Sequence, residues 1–508
     1  GFLEYEGGTD CDDTEALTSP MFIERWDDAD RNCDGVVDAM LIADAQAMFG
    51  ATAGVAGGLG MSSAVVGDIT GDGIAEIMIG APFSYYDVIV DPDSGATTRE
   101  NYDGAAFIMD LTNDGAPGDV AYAHVQGPTN GGALVGWDMA SMGDVNGGGL
   151  NDIMVASPLS QKAYLFMGED FTPNATLLLG SAHANVQAVG FGVDVANAGD
   201  STGDGIPEVA LGGSFILGGD AAWVAVYDGA DVLAGGPQSY SSALFTIDSS
   251  NGTAIGGETV GNVDFDGDGL MDLAVAWGVT GTGKVAMISG ADIANGGSIA
   301  HADLTPVTGS IGTEFGRHNA SATDINGDGL GELVVSAGYA DSTTSDGTEN
   351  EHGGIVYVFN GNELAQGGGA SSSAYIEIHG SELAGTLQVI DQLGDNDGDG
   401  LTDLVVAAVN EDFTTNQPDV YTYMFKATSI NAGGTFDAAM SDASIGSFQG
   451  NLDLFGYSGV SADIDYDGDD DLLIGAPRSG YQIGMPQNFI GSYSLGNLVV
   501  LESAWFAQ

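Results

Sequence analysis

The chain has 508 residues, with 73 Asp or Glu against 8 Lys or Arg, a formal charge of −65. A hydrophobic fraction of 44% gives enough apolar material for a large core and excludes an acidic disordered tail. The charge excludes nucleic acid and anionic membrane surfaces as partners. No apolar run reaches the roughly 18 residues of a membrane span, so no membrane insertion is expected. The 82 glycines point to many tight turns and hence to β structure.

In chain order, Gly1 is followed by no n-region or h-region, which reads as a processed chain whose targeting signal is gone. Cys11 and Cys33 are the two cysteines. They read as one disulfide made in an oxidising compartment; two free thiols in a reducing cytosol are the other reading. An extracellular or cell-surface location follows, and so acidic a surface suits a saline exterior where screening is strong. Asp30, Asn32, Asp34, the carbonyl of Val36, and Asp38 form an alternating oxygen-donor pattern, with Asp10 and Asp12 upstream. Residues 1–42 are expected to form a small knob stapled by calcium and the disulfide, because so short a piece cannot bury an adequate core alone. An ordered acidic linker is the alternative.

Residues 43–508 are a repeat array. A nonapeptide starts at Asp68, Asp144, Asp200, Asp264, Asp324, Asp395 and Asp463, seven copies in all. Position 3 is Thr70, Asn146, Thr202, Asp266, Asn326, Asp397 or Asp465. Position 5 is Asp72, Asp204, Asp268, Asp328, Asp399 or Asp467, with Gly148 as the exception. Position 6 is always Gly, and position 9 is Glu76, Asp152, Glu208, Asp272, Glu332, Asp403 or Asp471. The copies lie about 66 residues apart, room for a four-stranded sheet with its turns. A short apolar run follows each loop, as in Ile77-Met-Ile and Leu404-Val-Val, and reads as a buried strand. Further strands are expected at Ala105–Asp110, Ala121–Gln126, Ile355–Asn360, Tyr375–His379 and Asn497–Glu502. The fold class is all-β, a seven-bladed β-propeller of four-stranded antiparallel blades. The last unit lacks a fourth strand, and Ala45–Gly50 aligns with Thr176–Gly180. An N-terminal strand is therefore expected to close the ring.

Hard oxygen donors at alternate positions around a sharp glycine turn are what Ca²⁺ requires, with the position-7 carbonyl of Ile74, Ile206, Leu270, Leu330, Leu401 or Asp469 as a further ligand. An EF-hand is excluded, because position 12 is apolar and lies in a strand. About seven to eight Ca²⁺ sites are expected. The loops at Asp264, Asp395 and Asp463 carry four carboxylates and should fill first, those at Asp68, Asp200 and Asp324 carry three, and the loop at Asp144, with two, is expected to be the emptiest.

These units resemble FG-GAP repeats, the blades of integrin α-subunit propellers. The dipeptide stands as Phe191-Gly192, Phe315-Gly316 and Phe455-Gly456, and the tripeptide as Gly80-Ala-Pro82 and Gly475-Ala-Pro477, with Ala156-Ser-Pro158 close to it. The resemblance covers about residues 45–508. It implies that the calcium loops join the first and second strands of each blade and lie on one face. The second copy departs from the dipeptide with Gly136-Trp137. Asp10-Cys-Asp-Asp13 and Asn32-Cys-Asp-Gly35 resemble the aspartate–cysteine metal-binding motif of secreted bacterial proteins, with Trp26 where that motif often has a cysteine. They are similar also to thrombospondin type-3 repeats.

No catalytic motif appears. Gly278-Val-Thr-Gly-Thr-Gly283-Lys284 mimics a phosphate loop, but Val285 replaces the required Ser or Thr, and the segment reads as a turn between strands. Long connections in the first, fifth, sixth and seventh repeats form one arc on the face opposite the calcium loops. There Phe83, Tyr85, Tyr86, Tyr102, Tyr481, Phe489 and Tyr493 join Arg99 and Arg478 as candidate partner contacts. The expected function is non-enzymatic adhesion or extracellular assembly, as a surface-layer or filament subunit, with a cell-surface protein, a glycan or further copies of the chain as partner. A carbohydrate-active enzyme or a lectin-like glycan binder is the alternative; polar side chains clustered in a central channel favour the enzyme.

Overall fold

The structure is a computed structural model. It describes residues 47–50, 57–84, 88–90, 97–99, 103–109, 121–128, 132–187, 193–213, 223–248, 255–277, 281–345, 347–365, 369–380, 386–409, 421–446, 456–464, 466, 468–477 and 497–501. The N-terminal knob and its cysteine pair lie outside these residues.

Each repeat builds one sheet. In the first, Ser63–Gly67, Glu76–Ala81, Ala105–Met109 and Ala121–Gln126 pair antiparallel in chain order. The acidic nonapeptide joins the first strand to the second. The second strand is buried along its whole length because both sheet faces are covered. Met78 points into the core shared with the next sheet, whereas Ile77 and Ile79 point the other way, toward Ile464 and Leu473 of the last repeat. This two-sided burial is why the run is continuously apolar rather than alternating. Among the described residues there are seven sheets of four or five strands and two short ribbons. Apolar clusters lie between successive sheets, and one joins the first repeat to the last. The fold is an all-β propeller.

Two features were not expected. Five sheets carry a fifth strand, donated in parallel by the following repeat: Ala175–Leu178, for instance, lies along Ala121–Gln126 of the preceding sheet. The fourth strand of the second repeat is instead Ala184–Gln187. The alignment of Ala45–Gly50 with Thr176–Gly180 therefore compared a fourth strand with a fifth. Ala47–Gly50 nonetheless pairs antiparallel with Asn497–Leu501, at the edge of the last sheet. Lys284 lies in a strand, Thr282–Ile288, and pairs with Trp277 of the preceding antiparallel strand, not at the start of a helix as a phosphate loop requires.

The small residues of the repeat follow from close approach. Gly136, Gly316 and Gly456 adopt positive φ at the turn entering the first strand, a conformation that favours glycine. A Cβ on Gly80 would stand 2.2 Å from the Gly136 carbonyl oxygen, and one on Gly475 2.3 Å from that of Gly60. The Gly of Gly-Ala-Pro is thus demanded by the glycine turn of the next repeat, and the last repeat meets the first in the same way. Ser458 Oγ adds a 2.8 Å bond to the Gly60 carbonyl. Gly475→Ala should destabilise the fold by about 2 kcal/mol or more, since backbone, not a flexible side chain, blocks the methyl. Urea denaturation reads this directly; a loss of only a few tenths would contradict the close approach.

Candidate metal centres and the central channel

The acidic loops share one wiring. In the first, Asp68 Oδ1 accepts from the N–H groups of Gly71 and Asp72 at 2.6 and 3.0 Å, and Oδ2 from that of Gly73 at 3.0 Å. Asp200 and Asp324 repeat all three bonds in their own loops. The N–H at position 6 reaches Asp144, Asp264, Asp395 and Asp463 in the same way. Position 6 has positive φ in every copy, from Gly73 to Gly468, which explains why only Gly occurs there.

Position 9 is buried in all seven loops. Its carboxylate accepts from the N–H of position 2 each time, as from Ile69 to Glu76 at 2.6 Å and from Ile464 to Asp471 at 3.1 Å. Burial pushes Glu76, Glu332 and Asp403 up to about 7 and Asp272 up to about 6, against the pull of these donors. Where position 9 is Asp, its second oxygen takes the N–H that follows the third strand: Gly168 to Asp152, Gly290 to Asp272, and Ala427 to Asp403. In the first and fifth loops, where it is Glu, the longer side chain turns back to position 3, with bonds of 3.0 Å from Thr70 Oγ1 to Glu76 and 2.6 Å from Asn326 Nδ2 to Glu332.

Among the described residues, three groups bring carboxylate oxygens within 4.8 Å of one another: Asp68 with Asp72 and Glu76, Asp264 with Asp266 and Asp272, and Asp395 with Asp397 and Asp399. The donor sets suit a hard cation. Glu208 Oε1 and Thr202 Oγ1 in the third loop, and Asp463 Oδ1 in the seventh, are buried without a hydrogen-bond partner among the described residues. Acceptors of this kind suit a hard cation. The residues present therefore fit Ca²⁺. Asp465 and Asp467 lie outside the described residues. Asp469, expected to offer its carbonyl, also extends its carboxylate over Gly398 of the sixth loop.

Neighbouring loops are tied together. The N–H of position 8 donates to the position-1 carbonyl of the preceding loop from Gly331 to Asp264, Thr402 to Asp324 and Asp470 to Asp395, at 2.8 to 3.0 Å. Ala75 of the first loop donates to Ile464 of the seventh at 2.6 Å. Residues at the end of the third strand or just past it also reach the loops, a contact invisible in the nonapeptide itself. Lys426 Nζ stands 3.4 Å from Asp397 Oδ2, Asn360 Nδ2 donates to Asp328, and Asn146 Nδ2 donates to Glu169.

The inner strands of all seven sheets surround one cavity of about 840 Å³, lined among others by Ala64, Met139, Val195, Val260, Asn319, Gln392 and Val460. Asp138, Asp194 and Asp391 face it. Asp138 Oδ2 accepts from the Val195 N–H at 2.7 Å, Asp194 Oδ2 from the Thr259 N–H at 2.6 Å and from its hydroxyl, and Asp391 from the Gly459 N–H at 3.3 Å. Each bond crosses from one sheet to the next. Burial pushes Asp194 up to about 6 and raises Asp138, to which the charge of Asp194 adds. Asp391 is raised also, but it is open to the cavity and its charge is screened. Burial and the Arg317 charge push His318 down to about 3, so it is neutral. Asp138 and Asp194 each stand two residues past a turn glycine, Gly136 and Gly192, a shared register that the sequence did offer.

The expected partner contacts are only partly described. Phe83 is no exposed anchor: it is buried, edge-on to Trp137 at 6.1 Å, in a cluster with Met61, Leu134, Ala407 and Val409. Arg99 ends a ribbon strand, Thr97–Arg99, paired with Val88–Val90. Tyr85, Tyr86, Tyr102, Arg478, Tyr481, Phe489 and Tyr493 lie outside the described residues, as do Asp10, Cys11, Asp12, Asp30, Asn32, Cys33, Asp34, Val36 and Asp38.

Fold and loops together define a β-propeller with acidic, cation-competent turns. FG-GAP repeats match at residues 60–109, 315–359 and 455–501, and the chain is an integrin α-like β-propeller distantly homologous to integrin α-subunits. It is 26% identical to integrin alpha-4 of Xenopus laevis over 151 residues, which is 28% of this chain and 13% of that protein. It is 30% identical to integrin alpha-V of Gallus gallus over 231 residues, 43% of this chain and 20% of that protein. The chain thus spans a fifth or less of the length of these relatives. A solved structure described as the Dos1 propeller superposes with a TM-score of 0.44 at 8% identity, covering 91% of this chain and 97% of that one.

The channel carboxylates set a pH dependence. A carboxyl raised on folding stabilises the folded state fully below its unfolded value, near 4, and loses that contribution as pH rises through about 6 for Asp194. In saturating calcium, the wild-type melting temperature should fall more between about pH 5 and about pH 8 than that of Asp194→Asn. Parallel pH profiles would show that Asp194 carries no such penalty.

Proposed function

We propose that this propeller has seven blades, one per sheet, closed into a ring by Ala47–Gly50, and that Ca²⁺ fills its loop face outside the cell. It acts there as a non-enzymatic adhesion or assembly module, in a surface layer or filament. The observation that carries this reading is the series of hydrogen bonds that links the fourth to seventh acidic loops and joins the last repeat to the first. A charge of −65 with 8 basic residues leaves these loops dependent on cations for neutralisation. Similarity to part of the integrin α-subunits supports an adhesive role. Residues 1–42 form a separate knob ahead of the propeller at 43–508, and the arc with Tyr85, Tyr86 and Tyr493 receives the protein or glycan partner.

Electron microscopy and light scattering in saline medium test the reading. Ordered assemblies, or binding to whole cells, should appear with millimolar calcium and disperse on chelation. Replacing Tyr85, Tyr86 and Tyr493 with Ala should abolish the contact and leave the melting temperature in calcium unchanged. Dispersed particles that ignore both cells and calcium would remove the proposal.

The polar cavity favours a second reading, a glycan-directed site or enzyme in the channel. Asp138, Asp194 and Asp391 already accept backbone N–H bonds, which suits them to holding sheets together. Oligosaccharide binding or cleavage that Asp138→Asn eliminates without altering the fold would reverse this preference.

A further inference from the structure

The second acidic loop breaks the rule at position 5, where Gly148 replaces the aspartate of every other copy. The space is filled from elsewhere. A Cβ on Gly148 would stand 1.3 Å from Glu169 Oε1, so the Glu169 carboxylate occupies the volume that a position-5 side chain would enter. Glu169 Oε2 accepts from Asn146 Nδ2, the position-3 side chain, at 3.0 Å. Its charge also bears on Asp152 at position 9.

Glu169 is as exceptional among the repeats as Gly148. It follows Gly168, whose built Cβ would press on the position-8 carbonyl of its own loop. Gly229, Gly290 and Gly361 make the same approach to Pro207, Met271 and Gly331, which fixes the alignment. Gly168, Gly290 and Ala427 also share the bond to the position-9 aspartate. The next residue is Ala230, Ala291, Asn362 or Thr428 in those repeats, and an acid only here. Among the five repeats whose turn after the third strand is described, the one that lacks the loop carboxylate is the one that carries a carboxylate opposite it.

We infer that Glu169 is a metal ligand that replaces the missing position-5 aspartate, so that the second loop is a Ca²⁺ site built from two segments of chain: Asp144, Asn146 and Asp152 from the nonapeptide and Glu169 from the turn after the third strand. Its carboxylate number is then three, equal to that of the loops at Asp68, Asp200 and Asp324. The expectation of an empty loop counted only the nonapeptide. The inference rests on reading the loops as calcium sites. It adds that ligand charge is kept while its source in the chain moves, and affinity in oxygen cages follows ligand charge.

Anomalous scattering from crystals equilibrated in calcium tests this, with the third loop as internal standard. In the wild type, the peak at Asp144 should match that at Asp200. Glu169→Gln should weaken the second site roughly tenfold or more, emptying it at a calcium concentration that still fills the third. Adding Gly148→Asp to Glu169→Gln should restore the peak. A second-loop peak that persists in Glu169→Gln, or one absent from the wild type beside a filled third loop, overturns the inference alone. Absence of calcium from every loop overturns it together with the calcium reading of the whole face.

Discussion

The structure depends on negative charge held in a confined space, with few protein cations among the described residues to balance it. Each loop aims backbone N–H groups at the position-1 aspartate and sinks the position-9 carboxylate into the base of the sheet. Those donors offset part of the desolvation cost, but Glu76, Glu332 and Asp403 still sit near neutrality in their proton affinity. Among the described residues, Lys426 stands beside Asp397 and serves a single copy. A hard divalent ion is the natural counter-charge, and the partnerless oxygens of Glu208 and Asp463 are suited to it. Because the fourth to seventh loops and the first are bonded in series, the constraint there is shared along the face and does not belong to separate turns.

Much of the fold was legible because the strongest constraints are local. Asp at position 1 and Gly at position 6 are required by one turn's own hydrogen bonds and φ angle, so they recur in register and announce the repeat. The apolar run after each loop is equally plain, since two sheets cover it. The tripeptide glycine is harder, because its reason lies in the carbonyl of another repeat. The fifth strand escaped altogether. Ala175–Leu178 alternates between half-buried and exposed, like any edge strand, and its parallel partner lies some fifty residues upstream.

The site was legible to a similar depth. The nonapeptides contain the residues that cluster at Asp68, Asp264 and Asp395. Contributions from the end of the third strand and the turn after it, by Asn360, Lys426 and Glu169, could not be read from those nine positions, because packing alone brings the two segments together. Phe83 shows the converse error: an aromatic in a long connection suggested an exposed contact, yet it fills a gap beneath Trp137. The channel aspartates were hidden among 73 acids, and only their crossing bonds to the next sheet set them apart.

The donated parallel strands carry an implication for how such a molecule can be cut or rebuilt. A length of sequence running from one acidic loop to the next is not a self-sufficient piece, because part of it is stitched onto its predecessor's rim. An excised single unit would leave that rim bare and its own overhang unmoored. Circular permutation or module exchange in this architecture therefore has to move overlapping segments, with junctions placed to carry the overhang along with the rim it covers.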